Sequence, residues 1–87
     1  MAYIVRIKRS ARRELERLPA KDRRRVASAL NSLAQNPRPH GVIKLAEGGG
    51  EYRLRTGNCR ILYLILDREL MVMVIAVDDR TDVYRGR

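Results

Sequence analysis

Two apolar segments in the second half of the chain place the tightest constraint on its fold. Cys59–Leu66 and Leu70–Val77 are almost wholly apolar, and a short polar connection beginning at Asp67-Arg68 separates them. Each segment has the length of a strand and is far too short to span a bilayer. A continuous apolar run, in place of alternation, is typical of central strands that are buried on both faces. The sequence therefore predicts two consecutive strands in the middle of a sheet.

The first of these strands also belongs to a predicted hairpin. Tyr52–Thr56 precedes it, and Gly57-Asn58 forms a plausible two-residue turn because both residues tolerate positive φ. The implied register opposes Thr56 to Cys59, Arg55 to Arg60, Leu54 to Ile61 and Arg53 to Leu62. Because successive side chains alternate between the faces of a strand, this register places Arg53, Arg55 and Arg60 on one face and Tyr52, Leu54, Ile61 and Tyr63 on the other.

Three arginines on one face of a hairpin need an explanation. Like charges directly opposite each other destabilise a bare sheet by roughly 0.2–1 kcal/mol. Two interpretations remain open from the residues alone: a solvated arginine face, or a site that holds an anion.

The first half of the chain is predicted to form a strand and a helical hairpin. Tyr3–Lys8 is a short β-branched run that reads as a strand. Ser10 is the expected N-cap of a short amphipathic helix, whose apolar residues recur at helical spacing as Ala11, Leu15 and Leu18. Pro19 interrupts this helix, and a second helix is expected over Ala20–Gln35, with an apolar stripe of Val26, Ala29, Leu30 and Leu33. Residues 36–50 are expected to be a loop.

Two helices can cover only one face of the expected four-stranded sheet. Part of the opposite face is then open in the free protein, with Leu62, Leu64, Met71 and Met73 as the candidate side chains. Exposed apolar surface of this kind usually marks the binding site of a protein partner.

The net charge of the chain indicates which kinds of partner it can bind. The 87 residues, enough for one small domain over 1–87, carry a net charge of +9. Residues 8–25 contain nine Lys and Arg against Glu14, Glu16 and Asp22. Such a surface favours a polyanion, most simply nucleic acid, and Arg23, Arg24 and Arg25 on the outer helical face are candidate contacts, with a solvated face as the alternative for each. An acidic protein or a membrane surface would be served by the same charge, but no basic helix here has the bulky apolar face that membrane binding needs.

Other classes of site find no support in the sequence. A single cysteine, Cys59, excludes an internal disulfide, and no residue spacing suggests a metal or cofactor site. Without a signal-like or membrane-spanning segment, the expected location is the cytoplasm. The only histidine, His40, lies in the predicted loop with no chemical partner near it in sequence, which favours an incidental role.

The groups that remain as candidates for chemistry are a cluster of permanently charged arginines and the phenol of Tyr84. Tyr84 lies near the C-terminus between Arg80 and Arg85. These groups suit attack by an RNA 2′-hydroxyl on its own phosphodiester, which needs a base and positive charge on the phosphoryl oxygens. Arginine is a poor proton donor, so Tyr84 is the candidate base. Its ordinary pKa of about 10 would have to fall, and neighbouring cations act in that direction.

The chain resembles the RelE/ParE superfamily of toxin–antitoxin toxins, and most closely its RelE branch. The matching segments are MAYIVRIKRSARRELERLP at the start, KL at 44–45, YRLRTGNCRILY at 52–63, ILDRELMVMVIAV, and DRTDVYR at the end. The resemblance implies an α+β fold of order β-α-α-β-β-β, with a helical hairpin packed on one face of a mainly antiparallel four-stranded sheet. It also implies a ribosome-dependent endoribonuclease that cleaves mRNA in the A site without a metal, restrained by a RelB-like antitoxin.

The resemblance also implies roles for individual residues. Arg53 and Arg55 occupy positions of basic residues that stabilise the phosphate, and Arg60 matches the arginine that binds the scissile phosphate. Arg80 and Tyr84 match the arginine of the tail motif and the C-terminal tyrosine that acts as base or positioning group. The basic helices would lie on ribosomal RNA by the same resemblance. Lys44 and Arg85 are further candidate nucleic-acid contacts. Asp79 stands where many relatives have histidine, which weakens an acid role there.

Two other functions are compatible with the same sequence. The first is a ParE-like inhibitor of DNA gyrase, which binds without nuclease chemistry, since a shared fold does not fix function. The second is an inactive basic domain that only binds its antitoxin and DNA. The set of Arg53, Arg55, Arg60 and Tyr84 favours the nuclease.

Overall fold

A computed structural model describes residues 2–45 and 50–79, which form a five-stranded sheet with two helices packed on one face. In chain order the elements are β1 (Ile4–Ile7), α1 (Arg9–Glu16), α2 (Ala20–Gln35), β2 (Ile43–Lys44), β3 (Tyr52–Thr56), β4 (Cys59–Leu66) and β5 (Met71–Asp79), with one 3₁₀ turn at Asp67–Glu69. The predicted α+β class is confirmed.

The order of strands across the sheet is β1-β5-β4-β3-β2. β1 and β5 pair in parallel, and the other three pairs are antiparallel, so the sheet is mainly antiparallel as expected. A parallel pair requires a crossover connection, and the helices lie in the connection that carries the chain from β1 to the rest of the sheet. The predicted central position of β4 and β5 is confirmed, because each has a strand on both sides.

The expected count of four strands was wrong by one. β2 lies within residues predicted to be a loop, and it pairs Ile43 with Arg53 and Lys44 with Tyr52 at the edge of the sheet. A strand of two residues is too short to produce an alternating pattern, which explains why the sequence did not indicate it.

The helices bury the stripes that their sequences predict. Ala11 and Leu18, together with Val26, Leu30 and Leu33, belong to the buried core, while Leu15 and Ala29 pack against it partly buried. The α2 bounds match the predicted ones, and Pro19 directly precedes its first residue. No helix among the described residues is long and apolar enough to cross a membrane.

Ser10 is not the N-cap of α1, and that prediction was wrong. The helix begins at Arg9, and the cap position is Lys8, which makes no side-chain capping hydrogen bond. The Lys8 amide instead donates to the carbonyl of Val74 at 2.9 Å. This hydrogen bond to β5 lies immediately before the first residue of α1. The sheet pairing therefore passes directly into the helix, with no separate capping residue between them.

Two stacked tyrosines anchor the sheet beneath the helices. The Tyr52 and Tyr63 rings lie 5.8 Å apart between centroids at an angle of 20°. Tyr63 is fully buried, and its hydroxyl donates to the carbonyl of Pro37 at 2.7 Å. Burial raises the pKa of Tyr63 to about 12, so the phenol stays neutral and keeps this hydrogen bond.

A cluster of polar side chains, which was not predicted from the sequence, holds the loop that follows α2. The Arg38 guanidinium donates to both oxygens of Asp67, at 3.3 and 2.9 Å, and through Nε to the Tyr52 hydroxyl at 3.2 Å. The Tyr3 hydroxyl donates to the same carboxylate at 2.6 Å. Hydrogen bonds from Arg38 and Tyr3 lower the pKa of Asp67. Arg38 therefore ties the loop to the β4–β5 connection and to β3, and Asp67 ties that connection to Tyr3, just before β1.

The face of the sheet opposite the helices is not covered by them. The four candidates named above, Leu62, Leu64, Met71 and Met73, lie outside the core and are half-buried rather than fully exposed. Ile4, which pairs with Met71, is 58% exposed. Together with Ile4 these four residues form an apolar strip, and the prediction that the helices leave this face uncovered is confirmed.

Substituting Gly57 by alanine tests the hairpin turn. Gly57 has φ +61°, and a Cβ there would lie 2.6 Å from an Arg25 guanidinium nitrogen, which can move aside because it ends a flexible side chain. The backbone conformation dominates the cost, so we expect Gly57→Ala to lower the free energy of unfolding by about 1–2 kcal/mol in urea denaturation. Asn58→Ala, the matched control, should change it by less than about 0.5 kcal/mol. Equal effects at the two positions would contradict this account of the turn.

Candidate functional site

The hairpin that carries the arginines has the predicted register. Thr56 pairs with Cys59, Arg55 with Arg60, Leu54 with Ile61 and Arg53 with Leu62. Of the two turn residues only Gly57 has positive φ, as expected for a turn that requires glycine at its first central position. Cys59, Ile61 and Tyr63 are fully buried on the helix side, so the arginines lie on the open face. The prediction that the three share one face is confirmed.

The three guanidinium groups line one pocket on this open face. Its volume is about 290 Å³, and its described lining residues are Gly41, Ile43, Arg53, Arg55 and Arg60. This volume falls at the lower end of the roughly 300–1,000 Å³ typical of small-molecule pockets. We call this site the arginine pocket. Its size suits a single phosphate with the groups attached to it, and not a folded partner.

An acidic residue lies next to the arginine pocket. Asp78 on β5 is the register partner of Arg60 on β4, and its Oδ2 lies 3.8 Å from Arg60 Nη2. This separation is an ion pair, but it is too long for a good hydrogen bond. Arg60 Nε is buried and has no hydrogen-bond partner among the described residues. The Arg60 guanidinium therefore makes no good hydrogen bond to any described residue.

An irregularity in β5 accompanies the site. Leu62 pairs with Ala76 and Tyr63 pairs with Val74, so Ile75 is an extra residue that forms a bulge. Just beyond it, the Val77 amide donates to a carboxylate oxygen of Glu14 on α1 at 2.8 Å. Bulges commonly occur beside functional sites because they redirect the side chains that follow. Here the bulge and the Glu14 contact fix the part of β5 that carries Asp78.

The other predicted nucleic-acid contacts do not lie in the arginine pocket. Lys44 pairs with Tyr52 on the helix side of the sheet, and its Nζ lies 5.9 Å from the centre of that ring. Arg23, Arg24 and Arg25 are exposed on α2, in the helix layer. Arg23 donates to the Leu18 carbonyl at 3.4 Å, and Arg25 lies against Gly57 at the hairpin turn. A polyanion that contacts both the arginine pocket and these residues on the helix side must therefore pass around an edge of the sheet.

Three predicted site residues, Arg80, Tyr84 and Arg85, lie outside the described residues. Their roles remain predictions. The described part of β5 extends to Asp79, one residue after Asp78, which lies next to the arginine pocket.

Three neighbours of the arginines were not predicted from the sequence: Gly41, Ile43 and Asp78. Gly41 and Ile43 come from the segment that was expected to be a loop, and only the pairing of β2 with β3 brings Ile43 beside Arg53. For Asp78 a signal existed. Extending the predicted β4–β5 antiparallel pairing past Val77, with allowance for one bulge, would have placed it opposite Arg60.

The arginine pocket can bind an anion in a fixed geometry. Guanidinium groups stay protonated at all physiological pH values and present paired donors that match the oxygens of a phosphate. Two of the three arginines, Arg55 and Arg60, are directly opposite each other on neighbouring strands. Their mutual repulsion is relieved when a negatively charged group lies between them.

Sequence comparison identifies the family. A family model described as the ParE toxin of the type II toxin–antitoxin system parDE matches residues 5–84. Toxin RelG of Mycobacterium tuberculosis is 36% identical over 86 residues, which cover 98% of this chain and 99% of RelG.

Solved structures agree with the sequence comparison. A chain of the toxin–antitoxin complex RelBE2 from Mycobacterium tuberculosis superposes with a TM-score of 0.82 at 32% identity, covering 92% of this chain and 100% of that one. A chain of the archaeal RelE–RelB complex from Pyrococcus horikoshii gives a TM-score of 0.81 at 28% identity, covering 92% and 97%. The chain therefore belongs to the RelE/ParE superfamily and is a toxin of the RelE family from a type II toxin–antitoxin system.

Proposed function

We propose that this toxin is a ribosome-dependent endoribonuclease that cleaves mRNA in the A site by attack of a 2′-hydroxyl on the adjacent phosphate. The observation that carries the proposal is the arginine pocket, where three strand-borne arginines line a volume suited to one phosphate. The reaction concentrates negative charge on the phosphoryl oxygens, and preorganised cations stabilise that charge without reorganising during the step.

The proposed roles follow from position in the arginine pocket. Arg60 binds the scissile phosphate, because it lines the pocket directly opposite Arg55 and makes only one long ion pair, to Asp78, among the described residues. Arg53 and Arg55 stabilise the charge that develops on the phosphoryl oxygens. Tyr84, assisted by Arg80, takes the proton from the 2′-hydroxyl, which requires its pKa to fall from the ordinary value of about 10.

Surfaces outside the pocket would hold the ribosome. Arg23, Arg24 and Arg25 lie exposed on α2, and Lys44 lies at the sheet edge, so they are proposed to contact ribosomal RNA together with Arg85. A protein with this substrate acts in the cytoplasm. Multiple phosphate contacts make such binding strongly salt-dependent.

We also propose an antitoxin partner that covers the apolar strip of Ile4, Leu62, Leu64, Met71 and Met73. The related chains from Mycobacterium tuberculosis and Pyrococcus horikoshii were solved in complexes with antitoxins. The strip lies on the face that the helices leave uncovered, and burying apolar surface is the main driving force for most protein association.

A ParE-like inhibitor of DNA gyrase is the second candidate, and the match of the ParE family model to residues 5–84 favours it. That function needs a binding surface and no cleavage chemistry. The convergence of three arginines in one phosphate-sized pocket supports the nuclease over this alternative.

The first test removes Arg60. Arg60→Ala should reduce mRNA cleavage on translating ribosomes about 10²–10³-fold, the loss typical of deleting one donor to a developing oxyanion. Primer extension on the translated message measures the rate. Arg68→Ala is the control, because Arg68 is an exposed arginine at the opposite end of β4 and should retain wild-type cleavage.

The same experiment separates the two candidates. Wild-type protein that leaves the message intact but causes relaxed or broken plasmid DNA to accumulate would support gyrase inhibition and end the nuclease proposal. Full cleavage by Arg60→Ala would leave the nuclease but remove Arg60 from the site.

The second test concerns the proposed base. Tyr84→Phe keeps the ring and removes only the hydroxyl, so we expect cleavage to fall about 10²–10⁴-fold while the unfolding curve and ribosome binding stay unchanged. Tyr3→Phe is the matched control, since it also removes one phenolic hydroxyl, but at the Asp67 cluster away from the pocket. Unchanged cleavage by Tyr84→Phe in single-turnover assays would refute a proton-transfer role.

The third test concerns the antitoxin. Met73→Asp introduces a charge in the middle of the apolar strip, where burying it against a partner is costly, and should weaken antitoxin binding at least about tenfold in calorimetric titration. Ala27→Asp adds the same charge to the exposed face of α2 and should bind like wild type. Equal affinity of the two folded variants would place the antitoxin on another surface.

A further inference from the structure

We infer that Asp78 is a positioning residue for Arg60, which draws the guanidinium toward β5 and keeps it apart from Arg55. The inference rests on the proposed nuclease function for its kinetic consequences, but its structural part stands without that function. The observations that carry it are the register of three strands, one ion pair and one unpaired buried nitrogen.

The three side chains form a row across the sheet. Arg55 on β3 pairs with Arg60 on β4, and Arg60 pairs with Asp78 on β5. Paired residues on neighbouring strands have Cβ atoms about 4.5–5.5 Å apart, so Arg60 has a cation on one side and an anion on the other. Repulsion from Arg55 and attraction to Asp78 act on the Arg60 guanidinium in the same direction. Both move it toward β5 and keep a gap between the two arginines.

The ion pair directs Arg60 without using up its donors. Asp78 Oδ2 lies 3.8 Å from Nη2, beyond good hydrogen-bonding distance, so the attraction is chiefly electrostatic. Nε is buried and makes no hydrogen bond to any described residue. A buried donor without a protein partner calls for an explanation, such as a water, an ion or a functional ligand. A phosphate oxygen that enters between Arg55 and Arg60 would meet the exposed part of a guanidinium that Asp78 draws toward β5.

The backbone that carries the carboxylate is held in place. Val77, next to Asp78, donates its amide to Glu14 on α1 at 2.8 Å, beyond the bulge at Ile75. Side-chain exposure is 30% for Arg60 and 46% for Asp78, so both groups reach the open face while their backbones stay within the sheet. Because the strand that carries Asp78 is fixed, the carboxylate stays on the β5 side of Arg60 and can attract the guanidinium in a constant direction.

A carboxylate beside a phosphate site otherwise works against binding. Like charges repel, so Asp78 must weaken the attraction of the arginine pocket for RNA. Removing the charge of Asp78 should therefore leave substrate binding equal or tighter, yet slow the chemical step.

The substitution Asp78→Asn tests whether binding and rate separate in this way, because asparagine keeps the shape of the side chain and removes its charge. On translating ribosomes we expect kcat to fall on the order of tenfold or more, with KM unchanged or lower, since misdirecting a catalytic group is costly even when binding persists. Asp78→Glu retains the charge and should recover part of the rate. Glu16→Gln makes the same change in net charge on the exposed surface of α1 and should match wild type.

Nuclear magnetic resonance supplies a measurement that does not depend on cleavage. In the wild-type protein the Arg60 Nε–Hε signal, assigned by its loss in Arg60→Lys, should be sharp and slow to exchange with water because the atom is buried. Asp78→Asn should broaden it or shift it toward the position of free arginine, whereas Glu16→Gln should leave it unchanged.

The outcomes separate this inference from the nuclease proposal. A sharp, unshifted Arg60 signal in Asp78→Asn, or a variant that cleaves RNA faster, would overturn the positioning role and leave Asp78 as a repulsive group only. Loss of the fold in Asp78→Asn would also overturn it, by making the role structural. Wild-type protein that cleaves no RNA would end the nuclease proposal, while the resonance signal would still decide whether Asp78 positions Arg60.

Discussion

The two-residue turn at Gly57-Asn58 is the constraint on which the arginine pocket depends. It fixes the register of β3 against β4, and the positive φ of Gly57 is what allows so short a connection. Because side chains alternate with a period of two, a slip of one residue in β3 would move its arginines into the core and its apolar residues into solvent. Burial of Tyr52 and Ile61 on the helix side opposes any such slip. The core and the arginine pocket are thus stabilised by the same pairing.

The one-sided helix layer accounts for the second property of the fold. α1 and α2 bury one face of the sheet and leave the opposite face with two regions: the apolar strip around Met73 and the arginine pocket at the hairpin. No helix in the described part of the chain covers either region, because both helices pack against the other face of the sheet. The two regions attract different partners for physical reasons, since one gains from removing water and the other from neutralising charge.

How far the sequence predicted this structure depends on the range of each interaction. The hairpin register and the bounds of α2 were predictable because turn residues and periodicity act over a few neighbouring positions. The strand β2 was not, because two residues carry no period. The Arg38–Asp67 contact joins residues far apart in sequence, and only the fold brings them together. Asp78 was missed because a single bulge at Ile75 changes which residues of β4 and β5 are opposite each other.

The choice of arginine at all three pocket positions limits what the pocket can do in catalysis. A guanidinium with a pKa above about 12 can attract and orient a phosphate, but it is a poor source or acceptor of protons near neutral pH. Lysine at position 53 or 55 would have offered a group whose pKa can be shifted into a useful range, and this chain lacks it there. In the proposed reaction the strands would therefore supply fixed charge and geometry, and proton transfer would come from a side chain outside the pocket. Tyr84, the proposed base, follows Asp78 closely in the sequence, so the residue proposed to transfer the proton is covalently near the strand that carries the neighbour of Arg60.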